Sequence, residues 1–124
     1  MRERKFRVWN GKQMLSWHWL TAMGYVGKML TGYFGCDKWK LMQFTDLHDK
    51  KDREIWESDI DLLFQHKYEV KLGKFQSFVS GELGNGFYLK VIGGDGRCYP
   101  MPTIEKEHEV IGNIYENPEL MDVK

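Results

Sequence analysis

The sequence predicts a mainly β fold, either an antiparallel sandwich or a small barrel, and three observations predict it. Short segments rich in strand-forming residues alternate with glycine-rich turns. No helix longer than two turns is indicated. The chain has 124 residues, of which 42% are hydrophobic and 15% aromatic, which is enough to bury one core without metal or disulfide staples. Because no internal repeat or linker interrupts the chain, residues 1–124 are expected to form a single domain.

The first predicted element is a hairpin near the start of the chain. Residues 5–9 alternate charged and apolar side chains and end at Asn10-Gly11, which is a strong hairpin signal. The returning strand is predicted over residues 13–20. This strand would place Trp17 and Trp19 on one face, because alternate residues of a strand share a face. Glycines recur from residue 23 to residue 35 and predict a long loop.

The later elements follow from apolar alternation and turn signals. In chain order they are a buried strand over 39–45, an exposed polar turn over 46–53, core residues between 55 and 64, a second hairpin with strands 68–72 and 75–79 around Gly73-Lys74, and strands over 87–92 and 109–115. After these, Asn117 is a helix-capping residue, Pro118 fits the first helical position, and Glu119 is an acid in the first turn. This pattern predicts a short C-terminal helix.

The charge and the cysteines exclude several classes of protein. The net charge is zero, with 18 basic and 18 acidic side chains, so the overall basic bias of nucleic-acid-binding proteins is absent. Residues 1–34 are nevertheless basic and residues 100–124 acidic. No apolar run is long enough to span a membrane and no signal peptide opens the chain, which predicts a soluble cytoplasmic protein. Cys36 and Cys98 lack metal-site spacing and are expected to be reduced thiols.

Three ordered blocks carry a family resemblance. They are Lys5-Phe6-Arg7-Val8-Trp9, the run from Leu41-Met42-Gln43-Phe44-Thr45 through Glu54-Ile55-Trp56-Glu57-Ser58-Asp59-Ile60, and Gly112-Asn113-Ile114-Tyr115-Glu116-Asn117-Pro118-Glu119-Leu120. Together they resemble the YopX family of phage and prophage proteins. The resemblance implies a mainly β domain with a small SH3-like barrel core, encoded in a phage genome and working in the cytoplasm of a bacterial host. It also implies frequent self-association, and it brings no established biochemical activity.

The sequence departs from the family pattern at three positions. Asp46, Asp52 and Ser58 stand where the family usually has glycine. Glycine at such positions serves a positive φ, which aspartate tolerates better than most residues do. Two of the turns are therefore expected to survive with modest strain, and the turn at Ser58 is the one most affected.

An acidic stretch is the densest set of possible metal ligands. Oxygen ligands suit Ca²⁺ or Mg²⁺, but the spacing misses the calcium-loop pattern and Lys50, Lys51 and Arg53 would repel a cation. A solvated turn is the favoured interpretation, with a metal-assisted enzyme as the alternative. The stretch comprises Asp46, His48, Asp49, Asp52, Glu57, Asp59 and Asp61. Of these, Asp49, Glu57 and Asp59 belong to the family signature and are expected to be structural turn residues.

Basic residues interleaved with aromatic ones form a possible nucleic-acid contact. Small barrels that bind single strands combine a positive groove with stacking aromatic rings. Core packing explains most of the aromatic residues here, so this interpretation remains the alternative. The candidate contacts are Arg2, Arg4, Lys5, Arg7, Trp17 and Trp19.

No nucleophile, cofactor motif or metal motif stands out from the sequence. The leading hypothesis is therefore a non-enzymatic phage accessory protein without a cofactor. It would associate with itself through sheet edges, exposed tryptophans or its oppositely charged termini, and would bind a host or phage macromolecule. The alternative hypothesis is a nucleic-acid-binding module that acts in phage replication or regulation.

Overall fold

The computed structural model describes residues 5–24, 40–94 and 96–121, and it confirms the mainly β prediction. These residues fall into two compact units, with the boundary between Phe44 and Thr45. Both units are built from antiparallel strands, and one of the sheets curls into a half-barrel. The elements are β1 (Phe6–Trp9), β2 (Met14–Leu15), α1 (Trp17–Ala22), β3 (Lys40–His48), β4 (Glu54–Trp56), β5 (Asp59–Leu63), β6 (His66–Gln76), β7 (Leu83–Val91), β8 (Cys98–Pro100) and β9 (Glu109–Asn113).

The first unit contains the predicted N-terminal hairpin. Val8 of β1 pairs with Leu15 of β2, and the Asn10 carboxamide oxygen accepts hydrogen bonds from the backbone N–H groups of Lys12 and Gln13, both at 2.9 Å. On its other side β1 pairs with β3, so the strand order in this unit is β2-β1-β3. The core of the unit consists of Val8, Leu15 and Leu20, with Phe6 and Trp17 packed against it.

The predicted strand over residues 13–20 is wrong beyond Leu15. Residues 17–22 form a helix, which begins at Ser16 because the serine Oγ accepts a hydrogen bond from the backbone N–H of Trp19 at 3.1 Å. A serine that bonds to the third residue after it is an N-cap, and it offers the backbone an alternative to strand pairing. Trp17 and Trp19 therefore do not share the face of a strand.

The second unit is built on a five-stranded antiparallel sheet with the order β8-β7-β6-β5-β9. The longest ladder joins β6 to β7, from Tyr68 opposite Val91 to Gln76 opposite Leu83. Strand β4 lies beside the end of β3, where the Thr45 hydroxyl donates to the Ile55 carbonyl oxygen at 2.6 Å. The core residues are Ile55, Leu63, Val70 and Leu89.

The predicted turn at Gly73-Lys74 is wrong, because β6 runs straight through it to Gln76. Gly73 pairs with Gly86 of β7, and both have a positive φ, 144° and 138°. Only glycine adopts such a backbone readily, so the pair allows a local bend inside a continuous ladder. The chain actually reverses between Gln76 and Leu83.

The C-terminal helix prediction is met only by a 3-10 turn over Pro118–Met121. The loop predicted over 23–35 lies mostly outside the described residues, as do Arg2, Arg4 and Cys36. The single domain expected over residues 1–124 stays a prediction, and the described residues divide into two compact units. Among the helices of the described residues, none is long and apolar enough to cross a membrane.

Candidate functional site

An open hollow of about 410 Å³ lies at one end of strands β6, β7 and β8. Tyr68 and Tyr99 meet there edge to face, with ring centroids 6.1 Å apart. The Arg97 guanidinium carbon lies 4.2 Å from the ring centroid of Phe78, and that ring contacts Tyr99 at 5.9 Å. The hollow is lined by His66, Tyr68, Val91, Gly94, Arg97 and Tyr99. These side chains combine aromatic surface with positive charge.

Sequence reasoning missed this hollow. Its tyrosines lie 31 residues apart in the chain and come together only because β7 pairs with β6 on one side and with β8 on the other. The only local signal is the glycine-rich run Gly93-Gly94-Asp95-Gly96 before Arg97, which by itself predicts a turn.

A second exposed feature is the turn that joins β6 to β7. Two large apolar side chains of the turn and the first residue of β7 reach solvent: Phe78 is 54% exposed, Val79 77% and Leu83 84%. The turn is well hydrogen-bonded. Ser77 donates its backbone N–H to the Glu82 carbonyl at 2.9 Å, and the Gly81 N–H donates to the Ser77 carbonyl at 2.8 Å. We call Phe78, Val79 and Leu83 the hairpin tip.

The acidic stretch is only partly the exposed turn that the sequence predicts: Asp46 and Asp52 are exposed, but three of its acids are buried in the backbone framework. Asp49 is only 4% exposed, and its Oδ1 accepts the backbone N–H groups of Lys51 and Arg53, both at 2.9 Å. Its Oδ2 accepts the Val110 N–H at 2.9 Å and the Arg53 Nε at 3.0 Å. Burial opposes the charged form, but these N–H donors outweigh it and lower the pKa of Asp49.

Asp59 and Asp61 are also buried. Asp59 Oδ2 accepts the Trp56 backbone N–H at 2.7 Å and closes the turn between β4 and β5, in which Glu57 is half-buried. Asp61 Oδ1 accepts the Glu109 N–H at 3.0 Å and ties β5 to β9. Among the described residues, no three His, Cys, Asp or Glu side chains are placed to hold a metal ion.

Asp61 also forms a fully buried pair with His108. The His108 Nδ1 contacts Asp61 Oδ2, and its Nε2 lies 2.7 Å from the Pro102 carbonyl oxygen. Burial of the ring lowers its pKa, but the hydrogen bond and charge of Asp61, the Pro102 carbonyl and Asp49 outweigh it and raise the pKa of His108. Both side chains are 0% exposed, so the pair cannot touch a substrate. It fastens β5 to the segment before β9.

Four of the six candidate nucleic-acid contacts lie in the part of the chain that the structure describes. Phe6 and Val8 of β1 pack in the core with Trp17, so the side chain of Arg7, one position along the strand, projects from the opposite face. The Lys5 ammonium nitrogen lies 4.7 Å from the ring centroid of Phe44. Trp19 is 37% exposed on α1. Arg2 and Arg4 lie outside the described residues.

Comparison with known proteins identifies the family. A model of the family described as YopX protein matches residues 5–122. The chain belongs to the YopX family. No curated protein matches the chain. Among solved structures, it is similar to the crystal structure of protein EF1440 from Enterococcus faecalis, with 20% identity and a TM-score of 0.47 over 98% of this chain and 100% of that chain.

The YopX blocks coincide with the hydrogen-bonded turns just described. In the last block, the Asn113 carboxamide oxygen accepts the backbone N–H groups of Tyr115 and Glu116 at 3.0 and 2.8 Å. Asn117 Oδ1 in turn accepts the Asn113 N–H at 3.1 Å. A Cβ on Gly112 would lie 2.5 Å from that oxygen, so the close approach requires glycine. The block therefore encodes a turn that terminates β9.

The three positions where YopX proteins usually have glycine all have a positive φ. The values are 68° at Asp46, 63° at Asp52 and 74° at Ser58. The turn at Ser58 keeps its backbone bonds, since the Ser58 N–H donates to the Val70 carbonyl at 2.7 Å and the Ile114 N–H donates to the Ser58 carbonyl at 3.1 Å. This chain therefore retains the glycine-like backbone with side chains that disfavour it.

Replacing Ser58 with glycine is expected to raise the free energy of unfolding by about 0.5–1 kcal/mol. The left-handed backbone costs a residue with a Cβ roughly 1–2 kcal/mol, and the extra freedom of glycine in the unfolded chain offsets about 0.5–1 kcal/mol of the gain. Urea unfolding of Ser58→Gly measures the change. Ser58→Ala is the matched control, because it also removes the hydroxyl but keeps the Cβ. An alanine variant as stable as the glycine variant would contradict this explanation.

Proposed function

We propose that this YopX protein is a non-enzymatic phage or prophage accessory protein that acts by binding macromolecules, first of all further copies of itself. The hairpin tip carries the proposal. Monomeric proteins rarely leave contiguous large apolar side chains in solvent unless the patch contacts something. The tip presents its three side chains on a turn fixed by backbone hydrogen bonds, so little chain entropy is lost when the patch is covered.

The arrangement of the buried ionisable groups supports a non-enzymatic role. Asp49, Asp59 and Asp61 each accept backbone N–H groups, and His108 is held between a carboxylate and a carbonyl. A general acid or base must reach a substrate atom directly or through one water. Groups that are buried and engaged in this way serve the fold.

Self-association through the hairpin tip is tested by sedimentation velocity over a range of protein concentrations. The unmodified protein is expected to form a discrete oligomer at tens of micromolar. The double substitution Val79→Ser with Leu83→Ser is expected to raise the dissociation constant at least about tenfold, because it removes apolar area from the contact. Ile104 is 56% exposed on another segment, so Ile104→Ser is the matched control and is expected to leave association unchanged.

Two results would contradict the proposal. The first is an unmodified protein that stays monomeric at 100 micromolar and binds no protein. The second is an oligomer that the tip variant and the Ile104 variant affect equally. Recording absorbance at 260 and 280 nm in the same runs tests the nucleic-acid alternative, since carried nucleic acid that salt removes would favour it.

A further inference from the structure

The hollow between β6, β7 and β8 combines an aromatic wall with a cationic rim. The wall consists of Tyr68 and Tyr99, both half-buried and packed edge to face. Neither ring is loosely held, because Tyr99 also contacts Phe78 and Tyr68 packs against the core of the second unit. Rings fixed in this way lose little freedom when a planar ligand stacks against them.

Arg97 supplies the positive charge of the rim. Arg97 and His66 line the hollow, and the guanidinium of Arg97 is positioned over the Phe78 ring. The neighbouring hollow of about 470 Å³ shares Val91 and Gly94 and brings in Lys90. Glu69 also lines this second hollow. Its carboxylate forms an ion pair with the Lys71 ammonium group at 3.7 Å. The side chain of Asp95 lies outside the described residues.

The tyrosine hydroxyl adds a hydrogen-bond donor. Burial, together with Tyr99 and Asp61 nearby, raises the pKa of Tyr68 above its ordinary value of 10.0. The phenol is therefore protonated at neutral pH, and its hydroxyl can donate a hydrogen bond to an anionic oxygen. A volume of 410 Å³ lies within the range of small-ligand sites.

We propose that this hollow binds a nucleobase together with its phosphate, either as a free nucleotide or as one residue of a single strand. The base stacks on Tyr99, and the phosphate contacts Arg97 and His66. Stacking of bases on aromatic rings beside an arginine is the physical basis of single-strand binding. This site differs from the N-terminal contacts suggested by the sequence, and it does not depend on self-association.

The test is a titration of ¹⁵N-labelled protein followed by amide chemical shifts. The two probes are thymidine 5′-monophosphate and a thymidine hexanucleotide. Both are expected to shift amides of β6, of β8 and of Gly93, Gly94, Gly96 and Arg97. Tyr99→Leu and Arg97→Gln are each expected to weaken binding about tenfold or more, because a stacked base and a phosphate contact are lost. Tyr99→Phe keeps the ring and Lys106→Gln removes a distant exposed charge, so both are expected to bind normally.

Each outcome decides the proposal. Binding of both probes supports a nucleotide site, and binding of the hexanucleotide alone supports the same site acting on a single strand. The proposal is overturned if neither probe shifts these amides at 5 mM. It is also overturned if Arg97→Gln and Lys106→Gln weaken binding equally, or if phenyl phosphate binds as tightly as the nucleotide, which would indicate a phosphotyrosine ligand.

Discussion

Replacing Asp61 with alanine is expected to lower the free energy of unfolding by about 3–5 kcal/mol below pH 6.5, because it leaves the imidazolium of His108 buried without its partner. Both side chains are fully buried, and Asp61 also accepts the Glu109 backbone N–H. Urea unfolding measures the change. Lys71→Ala is the control, since its ion pair with Glu69 is partly exposed and spans 3.7 Å. Such a pair contributes less than about 1 kcal/mol.

The pH dependence of this loss gives a second check. The pKa of His108 is raised in the folded protein above its ordinary value of 6.5, so the contribution of the pair is fully present below pH 6.5. It is lost as the pH rises from 6.5 through the folded pKa. Asp61→Ala removes the hydrogen bond and the charge that contribute most to raising the pKa of His108, so the buried imidazolium destabilises that variant as the pH falls. The gap between the two proteins should narrow as the pH rises from 6.5 through the folded pKa of His108, and a constant gap would contradict the assignment.

Replacing Asp49 with asparagine is expected to lower the free energy of unfolding by about 2–3 kcal/mol. The carboxylate accepts four hydrogen bonds, three of them from backbone N–H groups, and hydrogen bonds to charged groups contribute about 1.5–3 kcal/mol each. An amide oxygen can replace one carboxylate oxygen, but the amide NH₂ group would face an N–H donor. Thermal and urea unfolding at pH 7 measure the loss.

Asp52 provides the matched control, because it lies in the same turn but is exposed. Asp52→Asn is expected to change the free energy of unfolding by less than about 0.5 kcal/mol, since asparagine tolerates the positive φ of this position. The pKa of Asp49 is lowered, so its contribution is present above its ordinary value of 3.8 and lost as the pH falls through the folded pKa. A loss in Asp49→Asn that does not shrink as the pH falls below 3.8 would contradict this account.

Local patterns predicted the strands well and the reversals poorly. The alternation in β1 and the capping side chain of Asn10 act within a few residues, and the hairpin there is confirmed. The sequence Gly73-Lys74 has the same local character but lies inside a ladder, because Gly73 is opposite Gly86. Whether a glycine-containing dipeptide bends a strand or reverses the chain depends on the strand opposite, and no local pattern contains that information.

Local patterns likewise indicated some of the candidate site residues and missed those that long-range strand pairing brings together. Asp49 and Asp59 belong to the signature blocks, so the sequence could single them out, although not their partners. His108 is paired with Asp61 across 47 residues and carried no signal as one of four scattered histidines. Tyr99 joins Tyr68 only through the register of β7 with its two neighbours. Long-range strand pairing decides these sites, and a single sequence does not reveal it.

The position of β9 has a consequence for the order in which the second unit folds during synthesis. Strands β5, β6, β7 and β8 pair with sequential neighbours, so their ladders can form as soon as the ribosome releases them. Strand β9 instead pairs with β5, and the Val110 backbone N–H donates to the carboxylate of Asp49, which lies 61 residues earlier in the chain. Until Asn113 has left the ribosome tunnel, β5 keeps an unpaired edge and Asp61 lacks its histidine. The nascent chain is therefore most open to proteases and chaperones just before its last strand emerges.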